Sequence, residues 1–326
     1  MDIESLTGNE YQVGCFLADY LSHLASRHEG TLERMEVEPK RFNILAAWGQ
    51  PVVTLSTHMD TVPPFFPSSE DSEHIYGRGA CDTKGIIAAM LKALEGLLEE
   101  GARGVAILLV VGEERNSAGA YAASRQRRGS RYLINGEPTE NKLAVGSKGA
   151  LRYEITATGR MAHSAYPELG DSAILKLLDA LERIRRLRLP VDEVLGPSTL
   201  NIGTISGGRA PNIVPDKAQA EIMIRLVQNP APLQQAFLEA AGELVQVRQV
   251  LVIPPVRLGR LEGLETTVVS FTTDIPAFGG AWGQPFLLGP GSIHVAHTLE
   301  ERVPKKQLAG AIEIYKKMVR QLLVAA

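Results

Sequence analysis

The chain has 326 residues, of which 44% are hydrophobic and 22% charged, and its formal net charge is -3. This is an ordinary globular composition, and the length suggests two domains or one domain with a large insertion. The near-neutral charge, the two cysteines and the lack of an apolar run near 18 residues argue against a polyanion partner, a disulfide framework and a membrane span.

The first 144 residues alternate predicted helices with short apolar strands. Helical spacing of apolar residues predicts helices over residues 9–27 and 84–100, and Gly101 supplies a stop for the second. Nearly continuous apolar runs predict strands over residues 51–57, 104–111 and 131–134. Such runs are typical of strands covered on both faces, so we predict an α/β fold with a mostly parallel sheet covered by helices.

A different pattern runs from Ser147 to about Val256. A helix is predicted from Asp171, as its N-cap, to Leu189, and another over residues 233–247. The pattern also predicts strands over residues 150–158, 199–206, 216–226 and 250–253. Their βαββαβ order indicates an inserted α+β ferredoxin-like domain.

After Pro254-Pro255 the α/β pattern returns. Strands are predicted over residues 267–271 and 285–288, followed by a terminal helix from Pro304, in its first turn, to Leu323. We therefore predict a catalytic domain in two parts, 1–147 and 257–326, separated by an inserted domain over 148–256.

Five short patches carry side chains that commonly bind metals, and four of them follow a predicted strand. In open α/β sheets, ligands bind outside the carboxyl ends of the strands, so patches far apart in sequence can meet there. The patches are His58-Met59-Asp60, Cys81-Asp82-Thr83-Lys84-Gly85, Glu113-Glu114, Gly136-Glu137-Pro138 and Ala296-His297-Thr298.

Two histidines and several carboxylates at such positions need partners, and a pair of divalent cations supplies them. The mixed nitrogen and oxygen set favours zinc, with cobalt or manganese as alternatives. Alone, His58 or His297 would more often be structural, and Glu113-Glu114 would be a solvated acidic turn. Cys81 is predicted to be a small buried side chain rather than a ligand, and Gly77 and Gly79 are expected to permit the tight approach that presents Asp82.

The chain resembles the co-catalytic zinc metallopeptidase and deacylase family of acetylornithine deacetylase, succinyl-diaminopimelate desuccinylase, aminoacylase and glutamate carboxypeptidase. The resemblance covers essentially the whole chain, in order. It is carried by STHMDTVP at 56–63, YGRGACDTKG at 76–85, GEE at 112–114, GEPT at 136–139 and GPGSIHVAHTLEE at 289–301, with weaker matches in LTGNE at 6–10, GRMAHSAYP at 159–167 and APNIVPD at 210–216.

The resemblance implies a role for each residue of the patches. Asp82 would bridge two metal ions, His58 and Glu137 would complete one metal site, and Glu114 and His297 would complete the other. Asp60 would orient the His58 imidazole. Glu113 would be the general base that deprotonates the attacking water and later protonates the leaving amine.

The resemblance also implies a second group of residues. His163 matches a lid histidine that, in dimeric relatives, reaches the neighbouring subunit's site and donates to the substrate carbonyl; the alternative is a surface histidine. Asn212 and Arg225 match positions that hold the substrate's carboxylate, although Arg225 could instead pair with Glu221 or serve the strand face. The backbone around Gly291 could bind the same carboxylate.

Together these features predict a cytoplasmic enzyme with a di-zinc exopeptidase-like catalytic domain, a ferredoxin-like lid and two divalent metal ions. The acidic start of the chain shows no apolar secretory core. The expected reaction is cleavage of the amide of an N-acyl amino acid, with an acetylornithine deacetylase of amino-acid biosynthesis as the nearest guess. Succinyl-diaminopimelate desuccinylase, lysine-pathway deacylase, dipeptidase or carboxypeptidase, aminopeptidase and a non-catalytic metal-binding protein remain alternatives. We expect a homodimer formed through the lid, with no nucleic-acid or membrane partner.

Overall fold

The computed structural model describes residues 1–325. Its helices are α1 (Tyr11–Arg27), α2 (Lys84–Glu99), α3 (Ala118–Ser124), α4 (Ala173–Arg185), α5 (Pro230–Ala241), α6 (Ile275–Phe278) and α7 (Lys305–Val324), and a 3-10 turn spans Pro167–Leu169. Its strands are β1 (Thr31–Glu38), β2 (Arg41–Trp48), β3 (Val53–His58), β4 (Ser69–Glu70), β5 (His74–Tyr76), β6 (Val105–Val110), β7 (Tyr132–Asn135), β8 (Leu143–Ser147), β9 (Gly149–Thr158), β10 (Val191–Asp192), β11 (Gly196–Pro197), β12 (Thr199–Gly207), β13 (Lys217–Leu226), β14 (Val245–Ile253), β15 (Val256–Arg257), β16 (Thr266–Val269), β17 (Gln284–Leu287) and β18 (Arg302–Pro304).

The described chain forms two compact units. The first contains residues 1–145 and 257–267 and continues from Thr273 to the end of the described chain. The second contains Gly146–Val256 together with Val268–Thr272. The short segment 268–272 thus groups with the second unit, whereas the sequence pattern assigns it to the catalytic part.

The large sheet has the order β1-β2-β6-β3-β7-β17-β8-β15, and β16 pairs with β8. Its centre is parallel, because β3 runs parallel to both β6 and β7, and β17 runs parallel to β7. The pairs β1-β2, β2-β6 and β17-β8 are antiparallel. The α/β class is confirmed, and the parallel arrangement holds for the four central strands rather than for the whole sheet.

Helices cover both faces of the central strands. On one face, Ile107 and Leu109 of β6 join a core with residues of α1, α2 and α7. On the other face, Leu108 and Val110 pack in a second core with Trp282 and residues of α3 and α6. All six residues of β6 are buried, which explains why this strand reads as a continuous apolar run.

The second unit has a four-stranded sheet of order β12-β13-β9-β14 in which every neighbouring pair is antiparallel. With α4 and α5 these strands follow the βαββαβ order expected from the sequence. Buried residues alternate along β13, and its buried apolar side chains share a core with both helices. The role of this unit as a lid stays a prediction.

Several predicted helix ends are wrong. Ser172, not Asp171, caps α4, because its side chain accepts from the backbone N–H of Leu175, and the helix ends at Arg185 rather than Leu189. Helix α5 stops at Ala241, where Gly242 has a φ of 72°, and residues from Val245 onward pair with β9 instead. Pro304 is the N-cap of α7 rather than part of its first turn. Among residues 1–325, no helix combines the length and apolarity that a membrane crossing requires.

Candidate active site

The carboxyl ends of three parallel strands lie side by side in the first unit. His58, the last residue of β3, is in register with Val110 of β6. Ser56 of β3 is in register with Asn135, where β7 ends. His58, the Glu113-Glu114 pair and Glu137 therefore follow neighbouring strands at one edge of the sheet, as the sequence predicts.

Two groups of side chains at this edge could each hold a metal ion. One comprises His58, Asp82 and Glu137, and the other comprises Asp82, Glu114 and His297. Within each group the candidate ligand atoms all lie within 4.8 Å of one another. Asp82 belongs to both groups, so the structure brings together all five predicted ligands around one shared carboxylate.

Asp82 presents one oxygen to each group. Its Oδ1 lies 3.0 Å from His58 Nε2, and its Oδ2 lies 3.2 Å from His297 Nε2. The next residue ties this segment to β3, because the Thr83 hydroxyl donates to the His58 carbonyl at 2.6 Å. The Asp82-Thr83 peptide bond is cis, and α2 begins directly afterwards at Lys84. One carboxylate can thus face two cations at the same time.

Glu137 is a buried carboxylate that lacks a complete set of partners. Its side chain is buried, and its Oε1 has no hydrogen-bond partner in the described part of the chain. Burial and the nearby Glu113 raise the pKa of Glu137 well above its ordinary value. An unpaired carboxylate oxygen is costly to bury, so a cation between Glu137, His58 and Asp82 would satisfy this group. The residues present therefore fit the metal ions that the sequence implies.

Neighbouring carboxylates favour the protonated form of both histidines. Asp82 and Glu114 raise the pKa of His297 to about 10. Burial disfavours a charge on His58, but hydrogen bonds to Asp60 and Asp82 outweigh burial and raise its pKa well above the ordinary value. Ligating imidazoles must be neutral, so metal binding here would release protons and would weaken at low pH.

Glu113 belongs to neither group, but its carboxylate interacts electrostatically with His58, Asp82 and Glu114, which do. Burial raises the pKa of Glu113 well above its ordinary value, and the negative charges of Asp274, Glu114 and Asp82 act in the same direction. A raised pKa means that a carboxylate holds a proton more readily than an ordinary one, which suits a group that accepts a proton and later returns it. The surroundings of Glu113 are suited to the acid–base role that the resemblance implies.

Asp60 connects His58 with the segment that carries both glutamates. The backbone carbonyl of Asp60 accepts from His58 Nδ1 at 2.9 Å, whereas the nearer carboxylate oxygen lies 3.5 Å from that nitrogen. The carboxylate itself accepts from the backbone N–H groups of Gly112, Glu113 and Glu114 at 2.9–3.2 Å. Asp60 thus fixes the direction of the imidazole chiefly through its backbone and anchors the glutamate loop through its side chain.

Asp274 is a buried carboxylate that the sequence reasoning missed. Neither of its oxygens makes a hydrogen bond of good geometry in the described chain. Burial raises the pKa of Asp274 to about 7, although the Ser117 hydroxyl partly counters this effect. The negative charge of Asp274 also raises the pKa of Glu113. Asp274 follows the strand predicted over residues 267–271 by three residues, the same spacing that separates Glu137 from its predicted strand, so this position was a signal that the sequence reasoning did not use.

Replacing Asp274 with Asn should stabilise the metal-free protein at alkaline pH. An acid whose pKa is higher in the folded state than in the unfolded state stabilises the fold below its unfolded pKa, and this contribution is lost as the pH rises through 7. Asn cannot ionise, so from pH 5 to pH 8 the variant should gain on the order of 2–3 kcal/mol relative to the parent. Denaturant unfolding of both metal-free proteins at the two pH values measures this gain, and an equal stability difference at both would contradict it.

The predicted substrate-binding residues occupy several places. In the second unit, the His163 side chain is exposed, and its Nδ1 accepts from the Ala165 N–H at 3.1 Å. Asn212 lies in the same unit, and its backbone carbonyl accepts from the Ser164 N–H, next to His163, at 3.0 Å. Their functions stay predictions.

Arg225, also in the second unit, is partly buried, and burial lowers its pKa. Its predicted alternative partner Glu221 instead pairs with Arg152, at 2.5 Å. Arg225 therefore does not form the predicted alternative ion pair with Glu221, while the other alternative, a role on the strand face, stays a prediction.

Gly291 belongs to the first unit, and its N–H already has a partner. It donates to Gln307 Oε1 at 2.7 Å. Gly291 has a φ of 91°, and a Cβ added there would lie 2.4 Å from the Cβ of Cys81. The glycine is thus required for backbone geometry and close packing, while its contact with a substrate carboxylate stays a prediction.

Comparisons with known proteins show which sequences and structures this chain resembles. The sequence profile of peptidase family M20/M25/M40 matches residues 54–321. A peptidase M20 domain-containing protein of Schizosaccharomyces pombe is 38% identical, with 98% of this chain and 82% of the relative covered. A probable carboxypeptidase of Aspergillus clavatus is 36% identical, with 99% of this chain and 81% of the relative covered. The crystal structure of a Staphylococcus aureus tripeptidase superposes with a TM-score of 0.79 at 26% identity, covering 97% of this chain and 94% of that one.

Proposed function

Because the chain belongs to peptidase family M20/M25/M40, we propose that it is a di-metal carboxypeptidase-type amidohydrolase. Its substrate would be a short peptide or N-acyl amino acid with a free carboxylate, and its products would be an acid and a free amino acid. Relatives that bear the name carboxypeptidase support this choice. Deacetylation of acetylornithine is a special case of the same reaction, and no observation on this chain favours it over the peptide substrates.

One observation carries the proposal: two groups of candidate ligands share Asp82, and Glu113 stands beside them. A structural salt-bridge network would not need the unpaired buried oxygen of Glu137. A purely metal-binding protein would not need a further carboxylate next to both groups that belongs to neither of them. The combination favours an enzyme over the non-catalytic alternative.

The chain's own residues can perform the proton transfers of amide hydrolysis. When bound, two divalent cations, most suitably zinc with cobalt or manganese as alternatives, would polarise the amide carbonyl and acidify a water molecule. Glu113 would accept the proton of the attacking water and deliver it to the nitrogen of the leaving amine as the C–N bond breaks. Asp60, through its bonds to the backbone of residues 112–114, would keep the Glu113 carboxylate in place.

We assign recognition of the substrate's free carboxylate to Arg225 and Asn212. His163 would act as the lid histidine. A guanidinium can form two parallel hydrogen bonds with a carboxylate. Arg225 is partly buried, its charge is not matched by Glu221, and its pKa is lowered by burial. A substrate carboxylate would supply the missing counter-charge. Homodimer formation through the second unit and a cytoplasmic location belong to the same proposal.

Replacing Arg225 with Met should raise KM for a carboxylate substrate by about 10–100-fold, with a smaller effect on kcat, because a hydrogen bond to a charged group contributes about 1.5–3 kcal/mol. Arg152→Met is the matched control, since this neighbouring arginine pairs with Glu221 and has a half-exposed side chain. Steady-state kinetics on an N-acetyl amino acid measures both constants. Equal KM values for the two variants would remove Arg225 from substrate binding.

The proposed function is tested with substrates that differ only at their ends. We expect the zinc- or cobalt-loaded protein to release amine from N-acetyl amino acids or dipeptides, and to lose this activity when the C-terminal carboxylate is converted to an amide. Cleavage that depends on a free α-amine and tolerates the amide would identify an aminopeptidase instead. Including acetyl and succinyl amides of ornithine, lysine and diaminopimelate separates the deacylase alternatives.

A further inference from the structure

A buried ion pair, outside both candidate metal groups, joins the two loops that supply Asp82 and His297. Arg78 and Glu301 are 1% and 0% exposed, respectively, and Arg78 Nη1 donates to Glu301 Oε2. Arg78 precedes Asp82 by four residues, whereas Glu301 follows His297 by four. The pair therefore links the segment just before Asp82 to the segment just after His297.

Glu301 also binds the backbone of the Asp82 loop directly. Its Oε1 accepts from the N–H groups of Gly79, Cys81 and Asp82 at 2.9, 3.3 and 3.2 Å. The Glu301 carbonyl in turn accepts from the Gly77 N–H at 3.1 Å. The side chain and backbone of one residue thus fix most of the turn that ends in Asp82.

Arg78 is enclosed by fixed partners of its own. Its Nε donates to the Pro64 carbonyl at 3.1 Å, and its guanidinium lies 5.1 Å from the centre of the Phe66 ring. Arg78 therefore holds the Glu301 carboxylate in the orientation in which it binds the Asp82 loop. Removing either member of this buried ion pair would leave an uncompensated charge. Cys81, whose thiol is buried and lies 3.7 Å from Glu301 Oε1, fills the space beneath the turn.

The two candidate metal groups depend on this turn to different degrees. His58 and Glu137 follow neighbouring parallel strands, so the sheet itself holds them. His297 lies on the loop before Glu301 in a left-handed conformation with φ 63°, and half of its side chain is exposed. Only the Asp82–Glu114–His297 group takes ligands from both loops that Glu301 joins.

We propose that Glu301 is a positioning residue that sets the Asp82 loop against the His297 loop and thereby controls the affinity of the second metal ion, the one held by Asp82, Glu114 and His297. Glu301 belongs to neither candidate metal group; it acts by holding the backbone of Gly79, Cys81 and Asp82 against the loop that carries His297. This inference rests on the proposed di-metal function and adds a selective effect on one of the two ions.

Titration of the chelator-stripped full-length protein with Co²⁺ or Zn²⁺ in the presence of a competing chelator tests the proposal. The parent should bind two equivalents. Glu301→Gln, which keeps the size of the side chain but removes its charge, should weaken one of the two equivalents by about 10–100-fold, the usual effect of altering a residue that supports a ligand. The other equivalent should stay within about threefold of the parent. Glu300→Gln, at an adjacent and 83% exposed side chain, should match the parent at both.

A second variant guards against misfolding. Arg78→Met combined with Glu301→Gln removes both charges, so it should be folded even if Glu301→Gln alone is not, and it should show the same selective loss of one ion. Equal weakening of both ions, or two unchanged affinities in a folded variant, would overturn the positioning role. A parent protein that binds no metal would instead overturn the proposed function itself, so the two failures are distinguishable.

Discussion

Replacing Glu113 with Gln should lower kcat for amide hydrolysis by about 10²–10⁴-fold, the usual contribution of a general acid–base group. Gln has nearly the same shape as Glu but cannot carry the proton from the attacking water to the leaving amine. Because Glu113 belongs to neither candidate metal group, the variant should still bind two equivalents of metal. KM should change by only a few fold, since the lost interaction concerns the transition state.

The experiment compares kcat at matched metal content, determined by elemental analysis of the same samples. Glu99→Gln, at an exposed position on α2, serves as the control for loss of a surface carboxylate and should behave as the parent. If Glu113→Gln kept more than about a tenth of the parent's kcat with both ions bound, another residue would have to act as the base.

The second large effect is expected at Asp82, because this residue takes part in both candidate metal groups. Asp82→Asn removes the negative charge that faces His58 on one side and His297 on the other. Both metal affinities should fall. The loss should exceed the roughly 10–100-fold loss of affinity that follows substitution of residues that only support the ligands. Activity should fall with them at any metal concentration that leaves the parent fully loaded.

Asp19→Asn is the appropriate control, because this aspartate has a side chain that is 75% exposed and only a distant partner in Arg34. Equilibrium dialysis against labelled or buffered zinc gives the number of bound equivalents for each protein. Loss of only one ion from Asp82→Asn, with the other affinity unchanged, would show that the carboxylate serves a single ion rather than two.

The central strands and their ends were predictable because their physical signals are local. Strand β6 is buried on both faces and therefore reads as one apolar run, and α2 buries a stripe of residues with helical spacing. Once such strands are recognised as parallel, the convergence of His58, Glu114 and Glu137 follows from the geometry of the sheet. The clustering of these patches could thus be predicted from the residues, whereas the choice of Glu114 over Glu113 as a ligand and the bridging role of Asp82 rested on the resemblance to the family.

Features that depend on distant contacts could not be predicted in this way. Strand β1 has only one buried residue, Met35, so it lacks the apolar run that marks the central strands. Helix α5 ends at Ala241, and residues 245–247, which were predicted to be its last turn, pair with β9 instead. Glu301 acquires its importance from burial and from partners far along the chain, because it lies more than 200 residues from the loop it binds.

The most direct measurement of the central claim is amine release from N-acetyl amino acids and dipeptides as a function of bound metal. The chelator-stripped protein should be inactive, turnover should rise as zinc or cobalt approaches two equivalents, and Glu113→Gln carrying the same two equivalents should be slower by at least about 100-fold. A fully loaded parent protein that hydrolyses none of these amides would contradict the assignment of this site as a di-metal amidohydrolase.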